Sequence, residues 1–228
     1  MCFSASASFT TAAILAPVAT LTLITAIRHD QRYLGFAVFP MFFGIQQSLE
    51  GGLWLSIVTG ATEPTYWYAT GFLFFAYFFW PFWVPLSTYL VETNGSRKLI
   101  FLAFSIFGAA LGMSLFIPLL FLDEPLPIQI IKHSINYNSP LIWDGIVART
   151  PIRVVYAIIV CAPMLLSSIK SVRVFGVLIT LSVISGFLVA SYAFTSIWCF
   201  AAALLSCYVF FVVREASKGV PVGRPDAI

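Results

Sequence analysis

Seven apolar windows, each about 20 residues long and parted by short polar breaks, fill most of this 228-residue chain. Such a window as a helix crosses about 30 Å of hydrocarbon, and inside that hydrocarbon only a helix or a closed barrel satisfies its own backbone. The windows fall at about 8–28, 34–58, 65–91, 98–121, 151–169, 173–193 and 195–213. The expected fold is therefore all-α: a seven-transmembrane-helix bundle forming one integral membrane domain over residues 1–228, in contact with a lipid bilayer. Composition agrees, since 9% of residues are charged where soluble domains carry about a quarter. The first window lacks the positive region that precedes the apolar core of a signal peptide, so it is expected to stay as a span.

Lys and Arg set the orientation, because they collect in short cytoplasmic loops. Arg28 and Arg32 follow the first window, Arg97 and Lys98 the third, Lys170 and Arg173 the fifth, and Arg214, Lys218 and Arg224 lie in the tail. The alternate loops after the second and sixth windows carry none. This predicts an outside N-terminus and a cytoplasmic C-terminus. The net charge of +3 is accounted for by a basic rim beside anionic headgroups, and no nucleic-acid partner is expected. Windows one to three do not echo windows five to seven, which argues against a repeat transporter.

The stretch at about 122–150 is the one sizeable non-membrane element. In "IIKHSINYN", Ile131, His133, Ile135 and Tyr137 alternate with Ile130, Lys132, Ser134 and Asn136, the period of a strand. "NSP" and the "DG" at Asp144 offer turns. A short strand or hairpin capping the outer mouth is predicted.

One acid lies well inside a window. Glu50 stands about 17 residues along the second, roughly 25 Å at 1.5 Å per residue, hence in the outer half of the bilayer. A central acidic residue costs about 2.5–3.5 kcal/mol, so such groups face the bundle interior. Gln46 and Gln47 stand one turn below and Trp54 one turn above, on a shared stripe; Gly44, Gly51 and Gly52 admit close neighbours. Two readings stay open: Glu50 faces a ligand, ion or proton path, or it is a structural acceptor for glutamine amides and a Ser or Thr of another helix.

In "YFFWPFWVP", Pro81 and Pro85 break backbone hydrogen bonds in the third window, predicting a kink with Trp80 and Trp83 crowded at it. Two histidines, His29 and His133, fall on opposite sides, and the four cysteines lack metal spacing. No metal or cofactor is expected, and no catalytic residue is assigned. Cys2 could pair with Cys199, although small buried thiols serve as ordinary packing.

The blocks "MCFSASASF" and "IQQSLEGGLW" resemble an uncharacterised family of bacterial multi-pass membrane proteins, which begin MCFS and carry QQxxEGxxW in the second helix. Cys2, Phe3, Ser4, Ser8 and Phe9 match the first block, and Gln46, Gln47, Glu50, Gly51 and Trp54 the second. The resemblance implies architecture and the bacterial cell membrane, and no reaction. Both blocks are expected to meet at the outer end.

The favoured function is binding, sensing or transport of a small molecule through an outer-facing cavity. Glu50 would anchor it, Gln46 and Gln47 orient it, Trp54 and Trp80 form walls, and Cys2 to Ser4 a lid. One alternative is an enzyme on a lipid-like substrate using Cys2 or Ser4 with Glu50 as base. Another is a non-catalytic subunit or scaffold, associating through small-residue stretches such as "FGAALGMS".

Overall fold

The structure is a computed structural model that describes residues 4–121, 126–190 and 193–218. Helix α1 (Ala5–His29) starts at Ser4, whose extended backbone lets its hydroxyl accept the Ala7 N–H at 3.3 Å, the usual service of an N-cap serine. A short helix, α2 (Leu34–Ala37), leads into α3 (Phe39–Thr59). Pro40 has no N–H to donate, and the chain breaks its helical ladder there. The nearby Gly35 carbonyl accepts the Trp83 indole N–H and the Ser87 hydroxyl, each at 3.0 Å, which ties α2 to α5. Gly60 closes α3 at a φ of 70°, the left-handed cap that glycine adopts without strain.

The next span runs over Thr62–Val91 in three parts: α4 (Thr62–Leu73), a π-turn at Phe74–Phe79, and α5 (Trp80–Val91). Pro81 and Pro85 each leave a carbonyl one turn back without its donor, and next to the place where a kink is expected the helix widens into a π-turn just before Trp80. Helix α6 (Gly95–Phe116) packs closely against this stretch. Ser105 donates to the Phe82 carbonyl at 3.1 Å. A Cβ on Gly108 would overlap the Pro81 carbonyl oxygen, and one on Gly112 would sit 2.8 Å from Phe78 Cα. The small residues of "FGAALGMS" thus serve packing within this chain.

A short 3-10 stretch, Ile117–Phe121, ends that span. Strands β1 (Ile128–Ile131) and β2 (Ser134–Tyr137) follow, antiparallel, with Ile130 opposite Ile135. The predicted alternating segment is a hairpin bent at its middle: Lys132 and His133, at φ 48° and 59°, form the two-residue turn that matches strand twist. The remaining helices are α7 (Arg149–Leu166), α8 (Lys170–Ala190), α9 (Phe194–Leu205) and, after a 3-10 turn at Ser206–Tyr208, α10 (Val209–Lys218).

Among the described residues, six segments are long and apolar enough to cross a membrane: Ala5–His29, Thr62–Val91, Gly95–Phe121, Arg149–Leu166, Lys170–Leu188 and Phe194–Ser217. Seven were expected, and the difference lies in α3. Gln46, Gln47 and Glu50 dilute its apolar character, and the same residues are buried, because α3 is covered by α1, α4 and α9. Large apolar side chains such as Leu21, Ile27, Phe107 and Leu188 stand on the outside of the bundle, where hydrocarbon is their matching solvent. The molecule is an integral multi-pass membrane protein.

The end opposite the hairpin is tied by a residue outside every span. Glu92 is buried, and its carboxylate accepts the N–H groups of Thr93 and Asn94 at 3.0 Å and of Ser168 at 2.9 Å, with the Ser167 hydroxyl at 3.2 Å. Burial alone would raise its pKa, but these donors stabilise the charged form and hold it down at about 2. Arg97 adds a bond to the Ser168 hydroxyl at 3.1 Å. The α5–α6 and α7–α8 connections are thereby locked together.

Candidate functional site

The polar stripe of α3 is directed into the protein. Gln46 and Gln47 are 0% and Glu50 1% exposed. Two glycines make room for this: a Cβ on Gly51 would meet the Phe9 ring of α1 at 2.9 Å, and one on Gly52 the Tyr68 ring of α4 at 2.6 Å. Phe9 and Gly51 belong to the two sequence blocks expected to meet, and here they touch. Cys2 and Phe3 lie outside the described residues, so the proposed lid and the Cys2–Cys199 pairing do too. Cys199 is a buried free thiol.

Each side chain of the stripe has a distinct environment. The Ser196 hydroxyl, on α9, donates to Glu50 Oε1 at 2.5 Å, and Gln47 Nε2 donates to Oε2 at 3.4 Å. Gln46 Oε1 accepts the Trp80 indole N–H at 2.8 Å, while its Nε2 reaches the Phe72 carbonyl at 3.5 Å. Trp80 also stacks on Phe43, centroids 3.9 Å apart, and so fixes α5 against α3. Ser196 escaped the sequence reading; one more serine in an apolar helix gives no periodic signal. Ser4, proposed as a nucleophile, has Ser6 Oγ at 2.8 Å and the Ala7 N–H as its hydrogen-bond partners, and Glu50 has Ser196 and Gln47.

Around this stripe, buried polar atoms lack hydrogen-bond partners within the described residues: Gln47 Oε1, Trp54 Nε1, Thr70 Oγ1, Tyr137 Oη and Trp198 Nε1. Buried polar groups are satisfied in the great majority of cases, so each such group calls for an explanation by water, ion or ligand. Tyr137 stacks on Phe72, centroids 4.9 Å apart and planes at 6°, and lies within electrostatic reach of Glu50.

Tyr137 and Trp198 line a cavity of about 70 Å³ beneath the hairpin, together with Tyr77, Arg149, Arg153 and Cys199. The roof is tied down by polar bonds. Tyr77 and Ser139 hydroxyls are 2.7 Å apart, Trp143 donates to Ser114 Oγ at 3.1 Å, and Arg149 reaches Asn138 Oδ1 at 3.1 Å and the Ser139 carbonyl at 3.2 Å. Arg149 also pairs with Asp144 at 2.8 Å, which holds the Asp144 carboxyl below the usual carboxylate range. A second cavity of about 30 Å³ lies deeper, with Phe43, Trp80, Trp198 and Cys199 among its walls. The structure thus pairs Gln46 with Trp80 and Gln47 with Glu50, two neighbouring hydrogen-bonded groups on one stripe of α3, with Trp54 one turn further along the helix. Cys199 touches both cavities, which lie to either side of it.

Neither a search of curated proteins nor one of solved structures gives a match. A family model does match, over residues 1–224, and the chain belongs to that family, the family of unknown function DUF6629.

Proposed function

We propose that this protein binds a small molecule, for sensing or for transport, in the cavity beneath the hairpin, with Glu50 as the proton-accepting or anchoring group of the layer below it. In this reading the N-terminus and hairpin are outside, the C-terminus is cytoplasmic, and the membrane is the bacterial cell membrane. Gln46 and Gln47 orient Glu50, and Trp54 and Trp80 wall the layer.

The observation that carries the reading is the cluster of unpartnered polar groups shared by the stripe and the cavity. A purely structural core would pair them or replace them by apolar groups, since each costs about 1–3 kcal/mol when left unsatisfied. Tyr137 and Cys199 connect the two, lining the cavity and lying within electrostatic reach of Glu50. The basic side chains Arg28, Arg97, Lys98, Lys170 and Arg173 stand in the terminal turns of α1, α6 and α8 at the other end, which supports this orientation.

A ligand that binds the folded state raises its stability in proportion to the logarithm of its concentration over Kd. The test is a thermal-stability screen of the full chain in lipid nanodiscs against small carboxylates, amines, polyols and quinones. The expected result is that at least one class raises the melting temperature and that Glu50→Ala removes the shift. Stabilisation by none of the classes, with Glu50→Ala altering only the basal melting temperature, would leave Glu50 as a structural acceptor and overturn the reading.

A further inference from the structure

Resting on that binding reading, we propose that the cavity beneath the hairpin takes a small neutral carbonyl compound, a short aliphatic ketone, whose oxygen accepts hydrogen bonds from Tyr137 and Trp198 together. Both side chains line the cavity. They are 7% and 8% exposed, and neither the phenol oxygen nor the indole nitrogen has a hydrogen-bond partner among the described residues. An indole N–H can only donate, so the group that satisfies Trp198 is an acceptor. Burial pushes the Tyr137 phenol well above its ordinary pKa, so at neutral pH it too has a proton to donate.

A count of hydrogens selects among acceptors. A carbonyl oxygen has two lone pairs and no hydrogen, so one such oxygen serves both donors and leaves nothing over. An alcohol brings its own O–H and water brings two, and each extra hydrogen needs a further acceptor on walls whose two unpartnered groups already donate. The other polar walls are engaged. Tyr77 bonds Ser139, Tyr156 donates to the Ala76 carbonyl, Arg149 pairs with Asp144 and Arg153 stands over the Phe194 ring. A carboxylate would bring a charge of its own out of water, at far greater cost than a neutral carbonyl.

Size and the apolar walls narrow the ligand further. About 70 Å³ is less than half of the roughly 150 Å³ cavity that holds benzene, which leaves room for a short chain and not for an aromatic ring. Leu115, Leu141, Ile152 and Phe194 supply apolar contact for that chain. The deeper cavity of about 30 Å³ shares the walls Tyr156, Trp198 and Cys199 with the first. These three side chains form the partition at which the alkyl tail ends, and Cys199 is the smallest of them.

The test is titration of the full chain in zwitterionic nanodiscs with butanone, sec-butanol and butyrate, followed by calorimetry and by NMR of the indole N–H groups. Butanone should saturate a single site and move the Trp198 indole resonance, which is identified by its absence in Trp198→Phe. Its Kd should lie about tenfold below that of sec-butanol, the scale of one hydrogen left without an acceptor. Tyr137→Phe removes only an unpartnered hydroxyl and keeps the ring that stacks on Phe72, so the variant should fold and bind butanone about tenfold more weakly. Cys199→Ala should join the two cavities and admit methyl butyl ketone, which the parent chain excludes. Equal binding of butanone and sec-butanol, or an unchanged Kd in Tyr137→Phe, would overturn carbonyl recognition. Tighter binding of butyrate would overturn it in favour of an anion, and equal binding of both ketones by the parent chain would overturn the length limit at Cys199. No response to any probe would assign the cavity to ordered water and overturn this proposal alone, because the wider screen with amines, polyols and quinones and the Glu50→Ala variant test the binding reading separately.

Discussion

Ser196 and Glu50, 146 positions apart in sequence, share a hydrogen bond of 2.5 Å between α9 and α3. The bond makes α9 responsible for the acid buried in the middle of α3. Ser196→Ala leaves Glu50 with Gln47 at 3.4 Å as its remaining donor. A buried acceptor deprived of a partner costs about 1–3 kcal/mol, and that loss is expected in unfolding of the purified chain in micelles. In a double-mutant cycle with Glu50→Gln the coupling should exceed about 0.5 kcal/mol. Strict additivity of the two substitutions would show that the bond contributes nothing.

Trp80 offers a paired test of a polar bond inside an aromatic contact. Trp80→Phe keeps an aromatic ring against Phe43 but leaves Gln46 Oε1 without its donor, for an expected loss of about 1 kcal/mol or more. Adding Gln46→Leu removes the orphaned acceptor as well, and the double variant should recover part of the loss. A double variant less stable than both single ones would place the stability of this layer in packing volume.

Glu92 predicts a pH dependence. Its folded-state pKa of about 2 lies below the ordinary 4.5, so the native state favours the charged form. The stabilisation is complete above about pH 4.5 and is lost as pH falls towards 2. Asp30 and Asp144, held down by Arg32 and Arg149, change in the same direction. The difference between the parent chain and Glu92→Gln isolates the Glu92 share: the variant should be less stable at pH 7, and the gap should shrink on acidification. A gap constant from pH 7 to 3 would remove Glu92 as its source.

Gly108 and Gly95 sit in the same helix with opposite surroundings. A Cβ at Gly108 overlaps the Pro81 carbonyl, whereas one at Gly95 meets nothing within 4 Å. Gly108→Ala should therefore destabilise by about 1–3 kcal/mol, as overpacking does. Gly95→Ala should be neutral or slightly stabilising, since alanine lowers the entropy of the unfolded chain. Equal effects would show that α6 and α5 are not held at this distance.

Length and apolarity made the bundle legible in sequence, because hydrocarbon thickness imposes a minimum run that no short pattern imitates. The inward face of Gln46, Gln47 and Glu50 was legible for the same reason: charge is costly there, and the stripe is spaced at one turn. The hairpin was half legible. Alternation marked Ile135 and Tyr137, but a turn built from Lys132 and His133 carries none of the glycine or asparagine signals that usually announce one. Ser196 and Trp198 on α9 and Arg153 on α7 were missed because they lie far along the chain from the α3 stripe and are brought near it only by tertiary packing. Six of the seven expected spans are long and apolar enough to cross a membrane on that ground alone, and α3 is not, because its polar stripe is covered by the same chain and high hydropathy is not required there.

The π-turn at Phe74–Phe79 changes what the span Thr62–Val91 presents to its neighbours. One extra residue in a helix of 3.6 residues per turn advances the following side chains by about 100°. Phe72, before the insertion, meets the hairpin through Tyr137, while Trp80, after it, meets Gln46 on α3. The span is a two-phase rod, clocked by one inserted residue so that its halves serve different partners. Loss of that residue would leave the rod able to cross the bilayer yet unable to address both partners at once.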